Sequence, residues 1–312
     1  MRSVFFGTPD FALRTLEHLE RAGRAPVAVV CQPDRPSGRG KKLVPPPVKR
    51  WAQAHGIEVL QPARQKDAAY RERLQALAPE VGLVASFGQL LPPGVLDLPR
   101  HGFLNVHPSL VPRFRGAAPI QWTLLSGDTR TGVCILRMTP RLDDGDVLLC
   151  EETEVPLDEG FQSLHDRLAD LGGRLLVRAL EDLVAGGLGG QPQDEAGVVW
   201  APALRKEQGW LDWTRPALEL HNQVRGLQPW PGAFTRTPAG ALLKIHAAAA
   251  LPAEAPAGAA PGQILEAAGD VLRVQCGQGR LGLLELQLEG KKRLATRAFL
   301  AGRPLRAGDR LG

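Results

Sequence analysis

Val4-Phe5-Phe6-Gly7-Thr8-Pro9-Asp10-Phe11 opens the chain with a short apolar run that stops at a glycine. Thr8-Pro9 then offers an N-cap followed by proline at the first helical position, where its missing N–H is no loss. Phe11, Ala12, Thr15, Leu16 and Leu19 recur at helical spacing, and Gly23 follows the last turn. This is strand, tight turn, helix. Working outward, 27–31 is a second apolar strand, and helical patterns cover 48–54 and 67–77. Further strands fall at 81–86, 102–106 and 132–138. Strands alternating with helices predict an α/β fold, a doubly wound and mainly parallel sheet covered on both faces. Ligands bind such sheets beyond the C-terminal ends of the strands.

The rest of the chain changes character. A long helix is predicted over 162–183, and the glycine cluster of 186–190 marks a boundary. The expected organisation is a catalytic domain over 1–189, a linker over 190–204 and a smaller C-terminal domain over 205–312. Within that last domain a helix is predicted over 216–226. Short runs follow at 242–245, 262–266, 271–276 and 281–288, with a turn at 268–270, which predicts a small β-barrel. The Ala- and Pro-rich stretch 247–260 reads as a mobile loop.

With 312 residues, two domains are the natural expectation. A hydrophobic content of 44% and a charged content of 23% rule out bulk disorder. Neither a secretory signal nor a membrane-spanning run is found, which predicts a cytoplasmic protein. Cys31, Cys134, Cys150 and Cys276 show no zinc-ligand spacing, so no metal is expected and all four read as buried, reduced thiols. Charge is uneven. Residues 205–312 hold 15 Lys+Arg against 9 Asp+Glu, whereas the remainder holds 23 against 24. The basic excess lies in the C-terminal third, where a polyanion would make contact.

Asn105, His107 and Asp143 carry the candidate chemistry. Asn105 and His107 share one face of a strand by period two and emerge at the end where open sheets bind ligands. Asp143 lies in the turn-like acidic segment 141–146. An amide donor and a cationic His stabilise a developing oxyanion, and a carboxylate takes up a proton. That set suits acyl transfer to an amine. No serine or cysteine occupies a nucleophile elbow, so direct transfer is favoured over an acyl-enzyme. From spacing alone the same residues also read as a capping Asn, a surface His and a turn Asp. Likewise, 33–50 carries six basic residues and one acidic residue, flexible at Gly38 and Gly40. It reads either as a solvated loop or as one that follows a phosphate backbone. Lys291-Lys292-Arg293 is open in the same way. Trp210, Trp213 and Trp230 read as packing residues, with base stacking as the alternative.

The stretch 105–121, Asn-Val-His-Pro-Ser-Leu-Val-Pro-Arg-Phe-Arg-Gly-Ala-Ala-Pro-Ile-Gln, closely resembles the central signature of the folate-dependent formyltransferases. Leu142-Asp143-Asp144-Gly145 stands downstream as that family places it. The resemblance implies a doubly wound catalytic domain using 10-formyltetrahydrofolate as formyl donor. It matches Asn105, His107 and Asp143 to the catalytic Asn, His and Asp, and Ser109, Leu110, Val111 and Pro112 to the strip that contacts the folate. Phe6-Gly7-Thr8-Pro9-Asp10-Phe11 and the 32–43 segment resemble the members that act on methionyl initiator tRNA. So do 204–213 and 225–233, from a C-terminal β-barrel that helps hold the tRNA. On that resemblance Arg39, Lys41 and Lys42 reach the tRNA acceptor stem, and the protein is a monomer. The alternative within the family is a formyltransferase for a small amine, such as a purine precursor or an amino sugar. The basic segments count against it.

Overall fold

The computed structural model describes residues 1–37, 42–252, 258–302 and 305–312. Two compact units form. The first comprises 1–119, 130–154 and 165–201, and the second 120–129, 155–164 and 202–312.

In chain order the elements up to residue 201 are β1 (Ser3–Gly7), α1 (Asp10–Arg21), β2 (Ala28–Val30), β3 (Arg35–Ser37), β4 (Lys42–Val44), α2 (Pro47–Ala54), β5 (Glu58–Leu60), α3 (Ala68–Ala76), β6 (Val81–Ala85), α4 (Pro93–Leu96), β7 (Phe103–His107), β8 (Arg113–Gly116), α5 (Pro119–Ser126), β9 (Arg130–Arg137), β10 (Val147–Glu154), α6 (Phe161–Val184) and β11 (Val199–Ala201). The main sheet runs β10-β9-β7-β6-β1-β2-β5. Strands β5, β2, β1, β6 and β7 are parallel, and β9 and β10 extend the β7 edge antiparallel. The mainly parallel α/β fold read from the alternation is the one observed.

Strand alternation assigns the two faces. Val4 and Phe6 pack with Tyr70 and Leu74 of α3 and with Val95 and Leu96 of α4. Phe5 points to the opposite face. Helix α1 buries Phe11, Ala12, Thr15, Leu16 and Leu19, the apolar positions read from the sequence. Its cap differs from expectation. Pro9 is the N-cap residue, and the Thr8 hydroxyl instead accepts from the Gln32 N–H at 3.3 Å, tying the end of β1 to the end of β2. Helix α6 packs behind the strand that carries Asn105 and His107. A Cβ added at Gly172 would lie 2.5 Å from Val106 Cγ1. Only a glycine lets this helix approach β7 so closely.

Residues 190–201, expected within a linker, belong to the first unit. Gln191 exchanges backbone hydrogen bonds with Val147 at 2.8 and 3.0 Å, and β11 pairs in parallel with β8. The glycine cluster ends α6 without separating the two units. Cys134 and Cys150 are direct cross-strand partners on β9 and β10 and form a disulfide, where reduced thiols were expected. Cys31 and Cys276 are buried free thiols, whose desolvation raises them to about 11 and about 12.

The second unit holds α7 (Ala217–Gly226), β12 (Ala233–Arg236), β13 (Leu242–Leu251), β14 (Ile264–Ala268), β15 (Val271–Gln275), β16 (Arg280–Leu288), β17 (Leu294–Ala295) and α8 (Thr296–Gly302). Its antiparallel sheet runs β12-β13-β16-β15-β14, with β17 on β16. Leu243, Ile245, Val274, Leu281 and Leu283 fill the core against Leu220 and Val224 of α7 and Phe299 of α8. The expected loop 247–260 begins instead as strand. Ala247–Leu251 continue β13 and pair with β16, since small side chains suit a pleated surface as long as the partner strand persists. Residues 253–257 lie outside the described residues. Trp213 is buried and donates to Thr235 Oγ1 at 3.1 Å, as a packing residue should. Trp210 and Trp230, expected to pack likewise, are 39% and 55% exposed. Arg225 is buried and donates to Asn222 Oδ1 and to the carbonyls of Pro156 and Glu159, at 2.9, 3.2 and 3.1 Å. It staples the 155–164 segment to α7. Among the described residues no helix is long and apolar enough to cross a membrane.

Candidate active site

Strand β7 ends at His107, and its register sets Asn105 beside Leu136 and His107 beside Cys134 of β9. The β9–β10 connection brings Asp143 back to the same place. Asn105 Nδ2 donates to Asp143 Oδ1 at 3.3 Å. His107 Nδ1 stands 3.6 Å from Asp143 Oδ2, an ion-pair distance beyond hydrogen-bond length. The backbone N–H of Gly116 donates to the same oxygen at 3.0 Å. Three residues separated by up to 38 positions thus converge. The Asp143 side chain is 11% exposed and that of His107 4%.

The local backbone is bent to achieve this. Asp143 has φ +50° and Phe114 φ +62°, both in the left-handed region. A non-glycine residue there costs about 1–3 kcal/mol, which its surroundings must offset. Gly145 follows for a steric reason, because a Cβ would lie 1.8 Å from the Arg137 carbonyl oxygen. The bent Phe114 directs its carbonyl at His107 Nε2, 3.0 Å away. A carbonyl only accepts, so Nε2 carries a proton and Nδ1 is the nitrogen turned to Asp143. Nε2 is thus engaged with the protein backbone, and Nδ1 faces the Asp143 carboxylate. Asn105 Nδ2 keeps a second N–H, and the residue is half-buried.

The strip after β7 divides. Ser109 was expected to face a ligand, but it is fully buried and its hydroxyl donates to the Arg113 carbonyl at 2.8 Å. Short polar side chains readily satisfy nearby backbone in this way. Leu110, Val111 and Pro112 remain half-buried and apolar. A cavity of about 10 Å³ borders Asn105, Leu136, Met138 and Asp143, on the order of one water molecule. A larger cleft, about 470 Å³, lies in the second unit against Trp210, Asp212, Thr214 and Arg310. Two of its polar groups bond within the protein. Asp212 accepts from the Thr214 hydroxyl and N–H, which holds its carboxyl below the usual range, and Arg310 Nε donates to the Pro261 carbonyl.

The basic segment forms a hairpin, β3 with β4. Arg39 and Lys41 lie outside the described residues, and Lys42 is placed on β4. The base of the hairpin is anchored by Asp34, which accepts from Lys49 Nζ at 2.8 and 2.9 Å and from Gln61 Nε2 at 2.8 Å. The Lys49 hydrogen bonds, then that of Gln61, hold the Asp34 carboxyl below its ordinary value. Lys49, counted as basic in the sequence, is thus matched locally.

Three residues without an assigned role in the sequence stand directly behind Asp143. Gln193 Nε2 donates to the carbonyls of Asp143 and Gly145 at 2.9 and 2.7 Å. Arg115, 2% exposed, donates through Nε to Gln193 Oε1 and through both terminal nitrogens to Glu195. Arg115 sits inside the signature stretch, so a buried role was open to discovery. Gln193 and Glu195 follow a glycine cluster, and no periodicity marks them.

The family described as Formyl transferase matches residues 1–180, and its C-terminal domain matches 203–304. The chain belongs to the formyl transferase family. A methionyl-tRNA formyltransferase of Geobacter sulfurreducens is 47% identical over 312 residues, covering all of this chain and 97% of that one. The counterpart from Pelobacter propionicus is 49% identical over 310 residues, 99% of this chain and 95% of its own. Among solved structures, the N-formyltransferase from Helicobacter canadensis, in complex with folinic acid and dTDP-3-aminofucose, superposes with a TM-score of 0.67 at 13% identity. That match covers 91% of this chain and 98% of the other. HypX from Aquifex aeolicus, in complex with tetrahydrofolic acid, gives 0.66 at 17% identity, covering 96% of this chain and 47% of that longer protein. At such identities these two show a shared fold. Asn105, His107, Arg115 and Asp143 lie within the matched formyl transferase segment, while Gln193 and Glu195 fall between the two matched segments.

Proposed function

We propose that this formyl transferase moves the formyl group of 10-formyltetrahydrofolate onto the α-amino group of methionyl initiator tRNA. The observation that carries the reading is likeness over both units at once, at 47% and 49% identity, to enzymes named for methionyl-tRNA. The alternative of a small-amine acceptor has the N-formyltransferase of Helicobacter canadensis on its side, but at 13% identity that likeness carries the fold alone. The reading includes a cytoplasmic location and a monomer, the latter testable by sedimentation.

The residues fit a folate. Leu110, Val111 and Pro112 offer a half-buried apolar strip directly after the strand that carries Asn105 and His107, as a pterin plane requires. When bound, the folate supplies an activated formyl carbon on nitrogen. Asn105 directs its second amide N–H at the formyl oxygen, where negative charge develops as the neutral amine attacks. Asp143 accepts the proton released by that amine, directly or through one water, and returns it to the folate nitrogen as the bond from that nitrogen to the formyl carbon breaks, so that tetrahydrofolate leaves neutral. His107 acts through Asp143. Its Nδ1 side supplies compensating charge, while its Nε2 stays bonded to the Phe114 carbonyl, so a direct bond from His107 to the oxyanion is not part of this scheme. Arg39, Lys41 and Lys42 of the basic segment contact acceptor-stem phosphates.

The experiment is formylation of charged initiator methionyl-tRNA, read as the mass of the released amino acid. Formylmethionine is expected. Folate binding without that product would leave a formyl transferase for another amine. The hairpin assignment has its own test. Its contacts should give tRNA affinity a log–log salt slope near −1 per phosphate neutralised, reduced in Arg39→Ala, and a flat slope would remove it.

A further inference from the structure

We infer that Gln193, braced by Arg115, is a positioning residue that fixes the carboxylate of Asp143 toward Asn105 and His107. The inference rests on the reading of Asp143 as the proton acceptor and adds a residue that lies outside both matched family segments.

The argument starts from the turn. Asp143 occupies the left-handed region at φ +50°, and the Gly145 backbone is pressed against the Arg137 carbonyl. Such a turn keeps its shape only where neighbours over-determine it. Gln193 does so from behind. One side-chain nitrogen donates to two carbonyls of the turn, those of Asp143 and Gly145. The orientation of the amide is itself fixed. Arg115 Nε can only donate, so the Gln193 oxygen must face it and the nitrogen must face the turn. Arg115 is fixed in its turn by two bonds to Glu195 at 2.9 and 3.3 Å.

A second hold comes from the front. Gly116, the neighbour of Arg115, donates its N–H to Asp143 Oδ2. Strand pairing joins both holds, because Trp200 and Ala201 of β11 are in register with Arg115 and Gly116 of β8. Asp143 is thus held through its carboxylate oxygen by Gly116 of β8 and through its backbone by Gln193, on the segment that leads into β11. Small misplacement of a reacting group costs turnover rather than binding.

The test uses the full chain and the formylation assay. Gln193→Glu keeps the size of the side chain and its contact with Arg115 but removes both donors to the turn. Gln193→Glu and Gln193→Ala should each lower kcat by about 10- to 100-fold. KM for folate and for tRNA should stay within about two-fold, and the melting curve should remain cooperative. The decisive measurement is a double-mutant cycle with Asp143→Asn. In that background Gln193→Ala should add less than about two-fold, because the group it positions is gone. A Gln193→Glu enzyme with wild-type kcat overturns the positioning role. So does a full, additive loss in the Asp143→Asn background, the signature of a purely structural tie. The underlying reading fails separately, if Asp143→Asn alone keeps normal turnover.

Discussion

Among the described residues two arginines are buried, Arg115 in the first unit and Arg225 in the second, and they are used differently. Arg225 gives its hydrogen bonds to a side-chain amide and two backbone carbonyls, joining α7 to the 155–164 segment. Burial depresses its pKa from the usual guanidinium range, yet the group stays charged. Arg115 gives its bonds to Gln193 and to Glu195, whose carboxylate is 71% exposed. The first arginine closes a seam in the chain, and every acceptor it serves is structural. The second stands one residue away from a turn in the candidate site. Equal burial therefore does not mean equal function. What separates them is where the bonds lead.

That contrast can be broken most forcefully at Arg225. Replacement by Met leaves three acceptors without their donor and should destabilise the protein by about 3 kcal/mol, at 1–3 kcal/mol per orphaned group less relaxation. Thermal unfolding reads this as a fall of several degrees, while kcat per folded molecule stays within about two-fold. Arg115→Met should show the reverse pattern, a kcat loss of about 10-fold or more with a destabilisation near 1 kcal/mol, because Glu195 is released into water. Identical patterns for the two would dissolve the distinction. A control without buried charge is Gly172→Ala. Pressing a methyl against Val106 behind β7 should cost about 1–3 kcal/mol, measured by denaturant unfolding, with turnover falling only as far as β7 shifts.

Smaller effects sharpen the comparison further. Glu195→Gln alters an exposed partner and should change stability by less than about 1 kcal/mol, with kcat nearly intact, since the Arg115–Gln193 bond survives. At the hairpin base, Asp34 has a folded pKa below its ordinary 3.8. Its stabilising contribution is therefore present above that ordinary value and is lost as pH falls through the lower, folded one. The melting-temperature gap between wild type and Asp34→Asn should be seen at pH 7 and shrink steadily as the solution is taken below pH 3.8. A gap independent of pH would mean that the carboxylate charge is not what anchors the hairpin.

The reach of the sequence is uneven for physical reasons. The five buried positions of α1 were legible because a helix face repeats in the chain itself. Asn105 and His107 were legible because strand alternation and the family signature both single them out. Contacts set by register were not. Nothing in a separation of 16 residues says that Cys134 and Cys150 are cross-strand partners. Nor does composition reveal that residues after a glycine cluster return to pair with β8. The inward turn of the Ser109 hydroxyl and the role of Gln193 depend on backbone angles more than on residue type. Trp210 packs edge-on against Phe234 while 39% exposed, and Trp230 is 55% exposed, a difference in surroundings that residue type alone does not reveal.

The parallel pairing of β11 with β8 also has a consequence in time. A polypeptide leaves the ribosome from its N-terminus and folds as it emerges. Asn105, His107 and Asp143 are all made before residue 190, and every strand of the main sheet is complete by Glu154. The brace from 193 to 201 arrives only after the whole of α6 has followed. A nascent chain halted in the glycine cluster would hold the complete sheet and all three site residues, with the Asp143 turn free to relax. The brace behind the Asp143 turn is therefore added to a sheet that already exists, in a separate and later step.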